Sequence, residues 1–520
     1  MPDQPPSVSA GSATAELDLF QLAKLTNRLL PAALAISLWA GLSFSFYYHF
    51  LTVPLLILNL LNFSYRHVQT RHTLLKNFGI VAQLRYFLES VGPEMRQYLY
   101  TGDTEERPFN RLERAEVYRK AKGIDSTSAF GSQQEFDQSE IKLRHAMYPT
   151  PDVDLSLCNV VVGASRNLDT AVSMNFPLII SAMSYGALSG KAVEALSRGA
   201  KAAGILMNTG EGGYPKYHLK GGADLIFQMG TGKFGVRHEN GTLDEDALRD
   251  LAAHPNVKMI EIKLSQGAKP GKGGILPGEK VSREIAELRK VPMGEDVISP
   301  PGHAECHDAA TTVEFIRRVQ DVSGLPVGIK LCLGNPEDFS ELVGAMVAQN
   351  SHPDFITIDG AEGGTGAAPA AFMDSMGLPL FVALRHVQSI LVKSGIRDRL
   401  HVFASGKLIH SARQIQALCL GADACCTARG FMFSLGCIQA LQCNKNTCPV
   451  GIATQNPELQ RGFDIEDKAR RVENYVNGIR HDFKQLVAAT GVHCVSELNE
   501  RHLYIPPGHP VNVEFKGDAA

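Results

Sequence analysis

The stretch PLIISAMSYGALSGKAVEALSRGAKAAGILMNTG, residues 177–210, holds the repeating unit of the fold. PLIISAM is a short apolar run, GKAVEALSRGAKAA has helical spacing and length, and GILMNTG is a second short apolar run. Two apolar strands joined through a helix read as a parallel βαβ unit, because parallel neighbours need a long crossover. The pattern continues with DLIFQMG at 224–230, VKMIEIKL at 257–264, PVGIKLC at 326–332, DFITIDG at 354–360, HVFASG at 401–406 and ADACCTAR at 422–429. Further helical candidates lie between them, such as DAATTVEFIRRVQDV and ARQIQALCLG. Eight such runs predict an α/β (β/α)8 TIM barrel, with a doubly wound open sheet as the alternative. In a barrel the functional groups follow the strands. Those positions carry Ser184, Asn208, Gln228, Lys263, Lys330, Asp359, Ser405 and Arg429, a polar set for strand ends.

The chain has 520 residues, 44% hydrophobic and 20% charged, which allows one large domain with appendages. A net charge of −3 gives no electrostatic case for a nucleic-acid partner. The 48 glycines gather in the middle of the chain, as tight βα turns or close backbone approach to a ligand require. Ten cysteines in a chain of this length are not a disulfide framework; their clustering in the last quarter fits a metal site in a reducing compartment.

The N-terminal part has a different character. Met1–Thr14 is polar and proline-bearing, with a composition that favours disorder. From Leu29 to Tyr65 there is no Asp, Glu, Lys or Arg, and His49 lies near the middle. This run is too long for one membrane span of ~20 residues and sufficient for two short ones. It predicts a transmembrane helical hairpin with its turn at His49–Pro54, the alternative being a buried pair in a soluble fold. Basic residues flank both sides (Lys24 and Arg28; Arg66, Arg71 and Lys76), which places both ends in the cytoplasm at the inner membrane. Beyond it, Arg71 to about Gln133 is helical in style, with Pro93 set to kink or divide the helix.

Three glycine-rich turns follow strands: NTGEGG at 208–213, DGAEGGTGAA at 359–368 and ASGK at 404–407. Each is ordinary loop geometry taken alone. Together they favour a phosphate-bearing cofactor, with ASGK and the following TARGF at its phosphate. GTGKFG at 230–235 matches G-x-G-x-x-G formally, but turn residues follow where a helix should open, so it is no dinucleotide site. SQGAKPGKGGILPG at 265–278 is a loop whose Lys269 and Lys272 suit an anionic substrate, or else face solvent. SPPGHAECHD at 299–308 crowds His303, Cys306, His307 and Asp308 without ordered ligand spacing, so a structural or substrate-facing loop is the better reading. GCIQALQCNKNTCPVGIATQ, 436–455, sets Cys437, Cys443 and Cys448 at C-x5-C-x4-C with Pro449 behind. Three such thiolates can hold an iron–sulfur cluster or be plain reduced thiols, and zinc, which prefers four ligands, fits less well. Cys425 and Cys426 are further thiols nearby in sequence.

At SAMSYGALSG, NTGEGG, QGAKPGKGG, DGAEGGTGA and CIQALQCNKNTCPVGIATQ, the chain resembles the FMN-binding synthase domain of glutamate synthase, from about Leu155 to Gly491. With the apolar hairpin it is similar to the membrane-associated, stand-alone glutamate-synthase-like proteins of bacteria. The resemblance implies FMN on the barrel and a [3Fe–4S] cluster held by Cys437, Cys443 and Cys448. FMN would lie against Ala182, Met183 and Ser184. Asn208, Gln228 and Lys330 would face its ring, and Gly363, Gly364, Gly406, Ala428 and Arg429 its tail and phosphate. Glu211 and Lys269 would be the catalytic pair that holds 2-oxoglutarate or its imine. Two departures stand out: Ile275 replaces a substrate-binding glutamine, and GHAECHD replaces the family's histidine–aspartate run.

The implied reaction is reductive amination of 2-oxoglutarate to glutamate. Its electrons would come from a separate donor: ferredoxin, an NAD(P)H-oxidising subunit or a membrane carrier. The chain starts MPDQ, without an N-terminal cysteine nucleophile, so ammonia is expected from a separate glutaminase subunit or from solution. The alternatives are a membrane-linked FMN dehydrogenase of another small amino or hydroxy acid, and a non-catalytic electron-transfer subunit. The expected organisation is a cytoplasmic N-terminus at 1–28, the hairpin at 29–65, a helical lead-in at 66–150, the barrel at 151–435, the cysteine loop at 436–456 and a C-terminal helical segment at 457–520.

Overall fold

The computed structural model describes residues 19–124, 127–134, 140–155 and 160–512; Met1–Thr14 lies outside them. The chain divides into two compact units, one ending at Asn110 and the other beginning at Arg111.

In the first unit, α1 (Leu19–Ser43) and α2 (His49–Phe63) form a helical hairpin. The Ser37 and Thr52 hydroxyls are 2.8 Å apart, Asn59 Nδ2 donates to the Leu30 carbonyl at 3.1 Å, and Asn62 Nδ2 donates to Asn27 Oδ1 at 2.9 Å. Each pair steps down one helix as it steps up the other, so the two run antiparallel. The outward face is apolar, with Trp39, Leu42, Phe50 and Leu60 exposed. Both helical stretches, Gln21–Ser43 and Phe46–Val68, are long and apolar enough to cross a membrane by length and composition.

The turn falls at residues 44–48, earlier than the predicted His49–Pro54. Ser45 is extended and its hydroxyl caps the short 3₁₀ turn Phe46–Tyr48, so His49 already begins α2 and Pro54 lies inside it. The hairpin is followed by α3 (Thr73–Phe78) and α4 (Ala82–Met95). Pro93 does not divide α4. It sits near the helix end, which runs on into a widened turn at Arg96–Tyr100.

The second unit opens with α5 (Arg111–Ala121), which packs against the long C-terminal helix of the same unit. The predicted lead-in of 66–150 is therefore split, its last helix belonging with the barrel. The barrel strands are β1 (Leu178–Ile180), β2 (Leu206–Asn208), β3 (Leu225–Met229), β4 (Val257–Lys263), β5 (Val327–Leu331), β6 (Phe355–Asp359), β7 (His401–Ser405) and β8 (Ala424–Thr427). Each pairs in parallel with the next, and β8 closes on β1 through Cys425 opposite Leu178. The barrel, not the open sheet, is the fold, and all eight apolar runs supply its strands.

The crossovers contain α6 (Gly190–Ala203), α7 (Lys216–Gly221), α8 (Glu245–Ala252), α9 (Arg283–Arg289), α10 (Ala309–Ser323), α11 (Pro336–Ala348), α12 (Ala370–Ser375), α13 (Leu380–Lys393) and α14 (Ser411–Cys419). After β8 come α15 (Arg429–Ser434), α16 (Pro457–Gln460) and α17 (Ile465–Thr490), the last packing on α5 and α6. Local chemistry fixes their ends. Ser189 caps α6 by accepting from the Ala192 N–H, and Gly204 ends it in the left-handed region. Asp308 and Thr311 form a reciprocal capping box on α10.

Side chains alternate across each strand, and the barrel interior is layered accordingly. The lower layer is apolar: Leu206, Ile226, Met259, Phe355, Phe403 and Ala424 pack with Val160, Val162 and Met174 of a two-stranded hairpin. Phe355 and Phe403 stack at 4.9 Å, and Gly328 makes room for them, since a Cβ there would meet the Phe355 ring at 2.3 Å. Two residues further along the strands the same face becomes polar: Asn208, Gln228, Glu261, Lys330, Thr357 and Ser405, all buried. The site is built on that step.

Candidate functional site

Glu261 anchors the polar layer. Its carboxylate accepts from Asn208 Nδ2 at 2.8 Å, Gln228 Nε2 at 2.6 Å and Thr357 Oγ1 at 2.6 Å, joining β2, β3 and β6 to β4. A buried acid is tolerable when its oxygens are this well satisfied. Beside it, the Lys330 ammonium lies 3.7 Å from Asp359 Oδ2. Burial alone would lower the Lys330 pKa; the carboxylates of Asp359 and Glu261 outweigh it and hold the pKa above its ordinary value. Asp359 also accepts the Gly267 N–H at 2.9 Å, so the same carboxylate anchors the loop that crosses the barrel mouth.

Above this layer, NTGEGG brings Glu211 against the end of β4. Its Oε1 accepts from Lys263 Nζ at 2.5 Å, and Lys263 also donates to Gln266 Oε1 at 2.6 Å. Burial pushes the Glu211 pKa up, but Lys263, Lys269 and Arg289 together hold it below the usual carboxylate value. Lys269 is 3% exposed and donates to the Ala367 carbonyl at 2.8 Å. Burial, reinforced by the charge of Lys263 and opposed by Glu211, lowers its pKa to about 8. Lys269 is thus no solvated loop lysine. Lys272 lies over the Phe372 ring at 5.7 Å.

The remaining sequence-predicted residues fall around this centre. Ala182, Met183 and Ser184 follow β1, where the Met183 carbonyl is 3.2 Å from His218 Nε2. On the other side, Gly363 and Gly364 lie in the turn after β6, Gly406 in the turn after β7, and Ala428 and Arg429 after β8. Arg429 Nη2 donates to the Glu362 carbonyl at 2.7 Å. A Cβ on Gly364 would sit 2.9 Å from the Arg429 guanidinium, so the glycine is what lets the cation lie against this turn. A guanidinium beside glycine turns is chemistry that fits a phosphate.

Sequence reasoning passed over Glu261 and Arg289, and noticed Lys263 and Asp359 only as strand ends. Glu261 carried a signal, being an acid inside the apolar strand run VKMIEIKL. Arg289, in α9, carried none; it donates to the Gly212 and Tyr185 carbonyls at 3.2 and 3.1 Å.

Two residues of the histidine loop make contacts that support the fold. Asp308 caps α10, and buried His303 lies with Nε2 3.1 Å from the Lys263 carbonyl. GTGKFG is a turn in which Lys233 pairs with Glu305 at 2.9 Å, and no helix opens until Glu245. Ile275 lies in a short antiparallel ladder opposite Ile298.

The cysteine loop follows α15. Cys437, Cys443 and Cys448 act on one another electrostatically, and burial pushes the Cys437 thiol up to about 12 and raises that of Cys443. Gln439, Leu441 and Asn446 adopt left-handed backbone as the loop doubles back. Tyr118 donates to the Cys437 carbonyl at 2.5 Å, tying the loop to α5. Cys425 and Cys426 belong to the barrel wall: Cys426 is part of its core, and Cys425 Sγ donates to the Gln414 carbonyl. Among the described residues, no three His, Cys, Asp or Glu side chains converge as they would on a single ion. A multi-iron cluster holds its ligands further apart, because irons and sulfides stand between them, and three cysteines on one wrapped loop fit that need.

The model of the conserved region in glutamate synthase matches residues 120–493. The chain belongs to the glutamate synthase family. Relatives in this family are named for an oxidoreductase acting on the CH–NH2 group of donors. The glutamate synthase large subunit-like protein YerD of Bacillus subtilis is 40% identical over 473 residues, covering 84% of this chain and 90% of its own length. The archaeal glutamate synthase [NADPH] of Methanocaldococcus jannaschii is 37% identical over 329 residues, 63% of this chain and 61% of the relative. Among solved structures, a flavocytochrome b2 aligns over 83% of this chain and 89% of its own at 14% identity and a TM-score of 0.44.

The electrostatics of Lys269 are open to measurement. Its pKa lies below the ordinary 10.5, so the charged form costs stability below about pH 8, and that cost is relieved as pH rises from 8 to 10.5. Glu211→Gln removes a charge that raises the pKa, so the Lys269 midpoint should fall further. The pH dependence of its reaction with an amine-directed label, read by peptide mass spectrometry, checks this. An unchanged midpoint would show that the two side chains are not coupled.

Proposed function

We propose that this protein is a flavoenzyme that reductively aminates 2-oxoglutarate to glutamate, with FMN on the barrel and a [3Fe–4S] cluster on Cys437, Cys443 and Cys448. The observation that carries the reading is the buried lysine–carboxylate array at the strand ends, with Lys269 and Glu211 facing the mouth and Lys330 beneath. Bound FMN would supply hydride to C2 of the imino acid. Asn208, Gln228 and Lys330 would form the bed for its ring, their positions preset by Glu261 and Asp359. Ala182, Met183 and Ser184 would flank it, and Gly363, Gly364, Gly406, Ala428 and Arg429 would take its tail and phosphate.

Lys269 would pair with a substrate carboxylate in place of the Ala367 carbonyl. Glu211, held anionic by Lys263, would keep Lys269 charged and accept a hydrogen bond from the ammonia-derived nitrogen. Electrons would enter at the cluster from a separate donor subunit, ferredoxin or a membrane carrier, with ammonia from a second subunit or from solution.

The test is anaerobic purification with flavin and iron determined, then reduced donor, 2-oxoglutarate and ammonia. Flavin reoxidation with glutamate formed is the expected outcome. Lys269→Met should raise KM for 2-oxoglutarate by roughly 10²-fold, the loss of one charge-assisted contact of about 3 kcal/mol. A fully loaded protein that makes no glutamate would overturn the proposal.

Ile275 favours a second reading, in which the substrate is another small amino or hydroxy acid. Its side chain cannot donate a hydrogen bond, and its backbone is held in the ladder with Ile298. On the first reading Ile275→Gln should lower KM for 2-oxoglutarate. An unchanged KM would show that position 275 does not set specificity.

We also propose that the α1–α2 hairpin anchors the protein in the cytoplasmic membrane. Exposed Trp39, Leu42, Phe50 and Leu60 would face lipid, while Ser37–Thr52, Asn59–Leu30 and Asn62–Asn27 hold the helices together from within. The full chain should remain in the membrane pellet after alkaline carbonate extraction, and a chain lacking residues 1–110 should be released. Recovery of the full chain in the soluble fraction without detergent would refute this.

A further inference from the structure

The loop across the barrel mouth leads into a second buried lysine, one that the proposed reaction does not use. Lys280 is 1% exposed, and its ammonium donates to the Ala187 carbonyl at 2.5 Å and the Cys443 carbonyl at 3.2 Å. No carboxylate among the described residues pairs with it. The groups that act on it electrostatically in its favour are the side chains of Cys443 and Cys448. A buried ammonium without a counter-ion is costly, and buried charges are ordinarily paired. As thiols these cysteines are neutral and offer no compensation; as ligands of a cluster they are thiolates.

The surroundings fix this placement. Asn446, between Cys443 and Cys448 in the chain, donates its Nδ2 to the Glu279 carbonyl at 2.9 Å, so the loop that carries both cysteines also grips the residue before Lys280. A second cation stands at the other end of the cysteine loop, where Arg114 Nη1 lies 3.4 Å from the Ile438 carbonyl.

We propose that Lys280 is the buried counter-charge of the iron–sulfur cluster on Cys437, Cys443 and Cys448, and that its fixed positive charge raises the cluster's reduction potential. This rests on the cluster assignment made above. Reduction moves one electron from a one-electron donor onto the cluster and makes the cluster–thiolate assembly more negative by one charge. Beside the negative cluster Lys280 would keep its proton throughout, against the burial and the Arg289 charge that oppose it. A fixed cation therefore stabilises the reduced form more than the oxidised form, and does so strongly where water is excluded. Its role is positioning and electrostatic, not catalytic.

The experiment uses the full-length protein, purified anaerobically, with iron and acid-labile sulfide quantified and the cluster titrated potentiometrically by electron paramagnetic resonance. Lys280→Met should retain its iron and show a lower midpoint potential, while Lys280→Arg should keep the wild-type midpoint. If Lys280→Met loses iron while Lys280→Arg retains it, the charge is needed to hold the cluster, which also supports the proposal. An intact cluster in Lys280→Met with the wild-type midpoint would overturn it, as would loss of iron from both variants, which marks a packing role. Wild-type protein without any cluster signal would instead remove the cluster assignment itself, a different failure with its own readout.

Discussion

The carboxylate of Glu261 is the interaction on which the centre of the molecule depends. An acid enclosed by eight strands is tolerated only with its oxygens satisfied, and Asn208, Gln228 and Thr357 do this from three other strands. The requirement acts in both directions. It satisfies the Glu261 carboxylate close to Lys330, and it holds two amide side chains in one orientation without help from a ligand. Compensation then passes outward: Lys330 faces Asp359, Asp359 accepts the Gly267 N–H, and the loop starting there delivers Lys269 beside Glu211. The floor of the site and the loop above it form one electrostatic construction.

That loop has two working ends. Lys269 is buried over the barrel mouth and Lys280 against the cysteine loop, with the Ile275–Leu276 ladder between them. Glycine and proline supply its turns, while its two buried lysines are held by backbone carbonyls. A lysine in such a place gains no Coulomb partner from the loop itself and waits for an anion from elsewhere. At Lys269 that anion would be a substrate carboxylate, and at Lys280 the thiolates of a cluster. The same logic separates these lysines from Lys263, which already has Glu211.

On the proposed membrane reading the hairpin would obey a different solvent rule. Its few polar side chains, Ser37, Thr52, Asn59 and Asn62, bond across or along the helix pair, while large apolar side chains face outward. This is the inverse of a soluble helical pair, whose apolar faces meet inside. The first unit ends at Asn110, and α5, next along the chain, is already part of the barrel unit.

By itself the sequence determined whatever depends on local pattern. Short apolar runs in alternation with helical segments specify eight parallel strands, because side-chain period and segment length are properties of consecutive residues. The three-cysteine spacing and the apolar run of 29–65 were legible for the same reason. The turn of the hairpin was not, since Pro54 is the stronger breaker on paper while the Ser45 cap decides where the chain reverses. Only the tertiary structure decided which polar residues act together. Glu261 meets residues 53, 33 and 96 positions away, and Lys280 meets Cys443 from 163 positions away. Such partners are chosen by barrel closure and by the need to neutralise charge once water is excluded, and neither leaves a mark in the order of neighbouring residues.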